Sequence, residues 1–452
     1  MSLLGCRLSP GIVFLLRLLL LLLVALAFGS SSLAQNSRGS VRGTVFDASG
    51  ARVRTAQISL TMPSTSQTRR VALNERGDFR VDDLTPGNYI VLAQAKGFGD
   101  VSLSFPVLVN FVQQLSIILK PQPVEESVNV RGVPVSVTSQ PIDSATAIHQ
   151  SVVTDYDLQS LPLAHRSFAN IAYLTPGTEP VEPSDPTKAR ITAVSFGGSS
   201  GLNVQNTVDG GDNTDDYIGG FLQNFSADAI QEFAVQTAQE EAETGQTVGG
   251  SVVISTKHGS NDWHGGAAFY ERASALTARY PLDNPSPDSK QPFSRQNYVG
   301  TLGGPIKTDK VWFFSSFEYV HEDASISYSP TSLTEFNALA SLAADGLIPG
   351  VPSISVPNNV PVPFRDFLGT ARLDLAQSPH SQWFLRGALD NYTTENDLVQ
   401  QATLASTGAT SGSKYFNVAL NNVYSFSPTW LGSFTADFGA LHHTEARNQD
   451  YG

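Results

Sequence analysis

Cysteine is almost absent: the single one, Cys6, lies ahead of an apolar leader. Once that leader is removed no thiol is left, which excludes disulfides, thiolate nucleophiles and cysteine-bound metals. Charge is sparse, at 15% of residues, and basic residues are the scarcer kind, 28 Lys and Arg against 41 Asp and Glu for a formal charge of −13. A nucleic-acid partner needs a basic surface that displaces counterions, so none is expected. Long apolar runs are missing beyond the leader, so any entry into a membrane requires β-strands. Turn chemistry, by contrast, is plentiful, with 37 Gly and 26 Pro in 452 residues. That balance favours short strands and turns, and the length favours two to four domains.

The leader itself is informative. Arg7 and Arg17 border an apolar stretch almost unbroken from 18 to 28, and Ser32-Leu33-Ala34 places small residues before Gln35. This is the pattern of a secretory signal peptide over 1–34, with cleavage near Ala34. Cys6 precedes the apolar core where a lipidation site should follow it. Loss of Arg7 and Arg17 leaves 26 basic against 41 acidic residues.

From 36 to 121 short alternating runs are separated by turns. Val41 to Phe46 alternates, Asp47-Ala48-Ser49-Gly50 turns, and Ala56 to Leu60 alternates again. Further strands are expected at 77–81, 89–93 and 114–119, with a type II turn at Pro86-Gly87, where Pro presets φ and Gly accepts a positive one. Several strands in so short a segment make a β-sandwich. Gly43-Thr44-Val45, Gly77-Asp78-Phe79, Leu84-Thr85-Pro86-Gly87-Asn88-Tyr89 and Gly97-Phe98 resemble the carboxypeptidase regulatory-like domain. The resemblance implies a transthyretin- or carbohydrate-binding-type sandwich that is a module and no peptidase.

Residues 151–260 carry a series of short motifs: Leu161-Pro162 with Arg166 and Phe168, Pro176-Gly177, Asp209-Gly210, Glu232-Phe233, Gly245, Gly249-Gly250, Lys257 and Gly259. The runs 230–236 and 251–255 are strand-like, and the glycines permit bends and close backbone approach. Apolar Leu158, Leu161, Phe168 and Ile171 suggest a short helix interrupted at Pro162. In order and spacing these motifs resemble the α+β plug of Oar-like TonB-dependent outer-membrane receptors, with Ala164-His165 departing from the usual Asn-Gly. Between sandwich and plug, 122–150 is a Pro-punctuated linker in which Glu125, Glu126, Ser127, Val128, Asn129 and Val130 alternate Val with polar residues. An exposed strand-former suits edge addition to a partner's sheet. In such receptors a TonB box lies here, and the segment resembles one loosely, a plain linker strand being the other reading; the resemblance implies a TonB-type energy-coupling protein as partner.

From 261 onward the period is two. Strands are expected at 263–272, 296–304, 310–320, 365–376, 382–392, 414–426 and 429–442. On the last pair Phe416, Val418, Leu420, Tyr424 and Phe426 share a face, as do Trp430, Phe434, Ala436, Phe438 and Ala440. One-sided apolar faces suit outer-membrane lipid outside and a polar lumen inside, and the turn at 427–428 against long polar loops at 325–363 and 395–413 suits barrel asymmetry. A soluble sandwich is the competing architecture, and would put polar residues on the outer face. About seven strands cannot enclose a plug when the transporter class closes with about 22. The ending Asp450-Tyr451-Gly452 also lacks the terminal aromatic residue on which such receptors end, so a truncated product is expected.

Three catalytic or metal-binding patterns compete with this reading. Gly197-Gly198-Ser199-Ser200-Gly201 fits a nucleophile elbow, but no helix follows. Asp209, Asp212, Asp215 and Asp216 read as a solvated acidic loop rather than a calcium loop. His442 and Glu445 have zinc-ligand spacing without a third ligand. The expected protein is therefore mainly β, with a sandwich, a plug and a partial transmembrane antiparallel β-barrel; it is no enzyme and has no cofactor. Its expected function is uptake of a large ligand such as a carbohydrate or siderophore. The alternative is a cell-surface binding or adhesion protein through which nothing crosses.

Overall fold

The computed structural model describes residues 37–121, 147–161, 163, 166, 168–181, 193–215, 219–238, 244–245, 247–278, 292–351, 353–400, 402–427 and 430–448. The leader, the segment 125–130 and Pro162 therefore lie outside the described residues. No helix among those described is long and apolar enough to cross a membrane, which says nothing of strands.

The first region has seven strands: β1 (Gly39–Asp47), β2 (Gln57–Met62), β3 (Gln67–Val71), β4 (Asp78–Leu84), β5 (Gly87–Gln94), β6 (Val101–Val107) and β7 (Val112–Leu119). They form two sheets, ordered β4-β1-β7 and β3-β2-β5-β6. Alternation drives the packing: in β1 every second residue points inward, and Val41, Val45, Ile58, Leu60, Val91, Ile117 and Leu119 meet between the sheets. Strands β3 and β6 are additions to the five read from sequence. Gly87 takes the positive φ expected of it, at 145°, although Pro86 lies in a bend and Gly87 already opens β5, so no regular type II turn forms; Asp83 also takes a positive φ, 55°.

The second region contains β8 (His149–Thr154), α1 (Asp155–Ser160), a 3-10 turn (Phe168–Leu174), β9 (Thr178–Val181), β10 (Ala193–Phe196), β11 (Val204–Val208), β12 (Gly211–Asp212), β13 (Ile230–Ala238) and β14 (Gly250–Thr256). Its main sheet runs β12-β11-β14-β13-β8. Helix α1 starts where the Asp157 carboxylate accepts the Thr154 N–H at 3.0 Å, a reciprocal cap, and stops at Leu161, since a residue before proline is pushed out of the helical region. Strands β11 and β14 are buried on both faces, so they read as continuous rather than alternating runs.

The third region is one antiparallel sheet in chain order: β15 (His264–Ala273), β16 (Phe293–Lys307), β17 (Val311–Ser327), β18 (Asn359–Ser378), β19 (Ser381–Glu395), β20 (Ala409–Ser427) and β21 (Trp430–Arg447). All seven expected strands are present, several of them much longer than read. At 15 to 20 residues, β16 to β21 exceed the ~9–11 a bilayer requires and project beyond it. The supposed loop 325–363 is partly structured: β17 runs to Ser327, β18 begins at Asn359, and helix α2 (Pro330–Ala344) lies between them. Ser329 accepts the Ser332 N–H at 3.1 Å and Pro330 occupies the first turn, a favourable helix start.

Alternation separates two chemistries on this sheet. Phe317, Phe367, Leu385, Leu389 and Phe416 point outward and are exposed, while Ser316, Glu318, Asp366, Thr370, Arg372, Arg386, Asp390, Ser411 and Asn417 point inward and are buried. At the short-turn end Tyr424, Phe426 and Trp430 cluster at ring separations of 4.7 and 4.9 Å, as in an interfacial aromatic girdle. The second region packs on the inward face: Phe221, Phe233 and Ile254 share one apolar core with Val320, Phe364, Tyr392 and Tyr415 of the sheet.

Candidate functional site

The most constrained feature of the molecule is where the second region meets the sheet. Strands β11 and β12 are joined by Asp209-Gly210 alone, with φ of 52° and 81°, the left-handed pair of a type I′ hairpin that Asp-Gly is suited to form. This turn aims the Asp209 carboxylate back at β14, where it accepts the Thr256 N–H at 2.9 Å and the Thr256 hydroxyl at 2.6 Å. It also meets two arginines of the sheet. Arg372 Nη1 donates to it at 3.1 Å, and Arg386 Nε lies 3.1 Å away, within ion-pair range.

Arg372 and Arg386 are directly opposed on β18 and β19. Like charges so placed repel, and both side chains are buried, at 3% and 1% exposure. Three carboxylates offset them: Asp209 touches both, Asp374 holds Arg372 at 2.9 Å, and Asp437 of β21 lies 4.0 Å from Arg386. The guanidiniums also sit over rings, Arg372 over Phe384 at 4.3 Å and Arg386 over Phe225 of the second region at 5.3 Å. Removing one member of such a buried network strands the others without countercharge, at a cost of about 3–5 kcal/mol.

Three further contacts tie the same regions together. The Asn224 N–H donates to Asp390 at 2.9 Å, and the Ser226 hydroxyl donates to Glu318, which also accepts from Asn297 at 2.6 Å. Arg166 pairs with Asp228 at 2.7 Å and stacks 3.6 Å over the Tyr270 ring of β15.

The sandwich docks beneath them, against the end of the sheet that carries the short turns. Gln67 donates to the Asp309 carbonyl at 3.0 Å, Arg38 to Asn421 at 3.0 Å and Asn261 to the Ser64 carbonyl at 2.7 Å. Val109 enters an apolar cluster with Val152, Ala234 and Val253, and its N–H donates to Glu232 at 2.6 Å. Burial pushes the Glu232 carboxyl up to about 8, against the opposing pull of that N–H.

The motif residues read from sequence fall into distinct places. Asp209 is in the ion network; Glu232 is at the sandwich contact; Phe233, fully buried, meets Phe221 edge-on at 6.3 Å. Lys257 pairs with Asp155 at 2.6 Å. Gly259 passes so close to β17 that an added Cβ would lie 2.4 Å from the Phe313 carbonyl oxygen. Leu161 ends α1, Phe168 opens the 3-10 turn, and Pro176-Gly177 forms the bend before β9. Gly249 and Gly250 lead into β14, whereas Gly245 lies in a stretch with nothing close to it. These residues do not converge on one point, and the network they serve depends on Arg372 and Arg386, which sequence reading missed. A signal was present: two arginines on inward positions, equally spaced from an expected turn.

The acidic loop reading is corrected. Asp209 and Asp215 are buried at 2% and 3% exposure, Asp209 as an ion partner rather than a solvated group; Asp212 is exposed and Asp216 lies outside the described residues. The Ser199 hydroxyl accepts the Phe196 N–H at 3.1 Å within a glycine-rich turn that leads from β10 to β11, a strand of another sheet, rather than an elbow that opens a helix. His442 and Glu445, three apart on β21, fall on opposite faces of the strand, so their spacing brings no common ligand.

A plug-like domain on the inner face of an apolar-backed antiparallel sheet, with a sandwich at the short-turn end, defines the outer-membrane receptor class. Comparison with known proteins agrees. Residues 40–120 match the carboxypeptidase regulatory-like domain and residues 255–341 the outer membrane beta barrel domain. The TonB-dependent transporter Oar of Myxococcus xanthus is 24% identical over 311 residues, 65% of this chain and 27% of its own length. The chain thus spans about a quarter of that relative. Among solved structures, the outer membrane transporter YddB from Escherichia coli aligns at TM-score 0.50 with 10% identity, over 67% of this chain and 40% of its own. The siderophore receptor PirA from Acinetobacter baumannii aligns at TM-score 0.45 with 16% identity, over 65% of this chain and 40% of its own. The chain is a homologue of the TonB-dependent transporter Oar and is located in the outer membrane; its homologues are transporters and receptors, which are not enzymes.

Proposed function

We propose that this chain serves as the sandwich, plug and barrel-wall portion of a TonB-dependent transporter that takes up a ligand too large for porins, such as a carbohydrate or a siderophore. The observation that carries the reading is the buried network joining Asp209 of the plug to Arg372 and Arg386 of the wall. A plug that must stay seated until pulled needs interactions that are strong in place and lost together, and a shared carboxylate between two buried guanidiniums supplies them. The residues 36–121, 122–150, 151–260 and 261–452 then act as sandwich, tether, plug and wall, and Glu125 to Val130 of the tether pair with the TonB-type protein by strand addition.

Adhesion, the second reading, needs the sandwich outside the cell. Its contacts with Asp309, Gln382 and Asn421, all at or near the short-turn end, support a periplasmic position instead. The test is binding of the full chain in detergent to a TonB periplasmic domain. Val128→Pro, which removes an N–H from the middle of the added strand, should weaken binding at least tenfold. Equal binding by both forms would remove the tether from the mechanism.

A further inference from the structure

Between the sandwich and the short-turn end of the wall lies a cavity of about 60 Å³, lined among others by Arg38, Thr65, Arg69, Tyr89, His258 and Gln382. Its charge is unbalanced. Asp374, the wall's carboxylate there, is already gripped by Arg372 through Nε at 3.1 Å and Nη2 at 2.9 Å. On the sandwich side Asp83 faces two guanidiniums, those of Arg38 and Arg69. Arg38 is further held by the Asp83 backbone carbonyl and the Thr85 hydroxyl oxygen at 3.4 Å and by the Asn421 side-chain carbonyl at 3.0 Å. Arg69 is different: among the described residues its one hydrogen bond goes to the neutral Gln382 side chain at 3.3 Å, and no carboxylate contacts it. The Thr65 hydroxyl, also buried, has no hydrogen-bond partner among the described residues. Tyr89 adds no negative charge, because burial pushes its phenol up to about 12.

A half-buried guanidinium that shares its nearest carboxylate with a second guanidinium is incompletely neutralised, and its planar fork matches an oxyanion. We propose that this cavity binds a small oxyanion, phosphate or a free carboxylate, through Arg69 with Arg38 and the Thr65 hydroxyl, at the junction of the sandwich with the barrel wall. The occupant accepts from these groups on the sandwich, so it neutralises the junction while leaving the Gln382 contact in place. The cavity borders the plug network through Asp374, which lines it and is held by Arg372, while its anion donors belong to the sandwich.

The test uses the full chain in detergent, titrated calorimetrically with inorganic phosphate and, separately, with acetate. Saturable one-site binding of either anion is expected, with phosphate favoured if the site takes tetrahedral groups and acetate if it takes planar ones. Arg69→Gln should weaken it at least tenfold, about 1.4 kcal/mol, Arg69→Lys should weaken it less, and Arg70→Gln, one residue along β3 and exposed, should leave it unchanged. Absence of saturable binding for both anions, or equal losses in Arg69→Gln and Arg70→Gln, would overturn the proposal. Unchanged circular dichroism and thermal unfolding of Arg69→Gln separate loss of the site from loss of the fold.

Discussion

The sandwich and the plug are both small β domains, yet they are stabilised in opposite ways. The sandwich closes its own core: Val41, Leu60, Val91 and Ile117 meet each other, and β1, β2 and β5 alternate cleanly. The plug does not. Phe233, Ile254 and Phe221 share a core with Phe364 and Tyr415 of the wall, and its polar residues find partners there too. An autonomous module can be carried on a tether, whereas a domain whose charges are answered by another element is stable only in place. For a plug that moves, this makes seating and stability the same quantity.

The contrast can be broken most sharply at Asp209. Replacing it with Ala should destabilise the seated plug by about 3–5 kcal/mol, because Arg372 and Arg386 stay buried without it. Limited proteolysis of the full chain should then cut within the plug and spare the sandwich. Leu60→Ala should act in mirror image, costing about 2–5 kcal/mol in the sandwich core while plug protection in hydrogen exchange is retained. At the wall, Phe416→Arg places a charge on the outward face near the middle of β20 and should cost about 2–4 kcal/mol in lipid, read as reduced folding yield into vesicles.

A gentler effect belongs to the sandwich–plug contact. The Glu232 carboxyl, raised by burial to about 8, binds its proton more tightly folded than unfolded. Its contribution is therefore complete below the ordinary carboxylate range and is lost as pH rises toward 8. Thermal unfolding should show the docked sandwich weakening from pH 5 to pH 8, and Glu232→Gln should flatten that dependence.

Much of this architecture was legible in the chain. The two-residue period of the wall survives in the burial of β17 to β20, where one face is exposed and apolar and the other buried and polar, while the edge strands β15 and β21 are exposed on both faces; Phe416, Val418 and Leu420 announce the split. The sandwich turns were less legible: Gly87 takes the positive φ foreseen for it, but nothing in the sequence marked Asp83 as a second residue with positive φ. Helix α2 was hidden inside a stretch judged by its polarity, although Ser329-Pro330 is a helix start. The candidate site was least legible. Asp209 was singled out, but its neighbours Asp212 and Asp215 made a solvated loop the natural reading, and its partners lie 163 and more residues away. Local pattern reports which face a side chain takes; it carries no information on which distant charge waits there.

The most direct measurement is a double-mutant cycle in the full chain between Asp209→Ala and Arg386→Leu, read as unfolding free energy of the plug. If one carboxylate seats the plug by neutralising the wall's guanidiniums, the two substitutions should couple by about 1.5 kcal/mol or more. Effects that simply add, within the ~0.5 kcal/mol expected of independent sites, would contradict it.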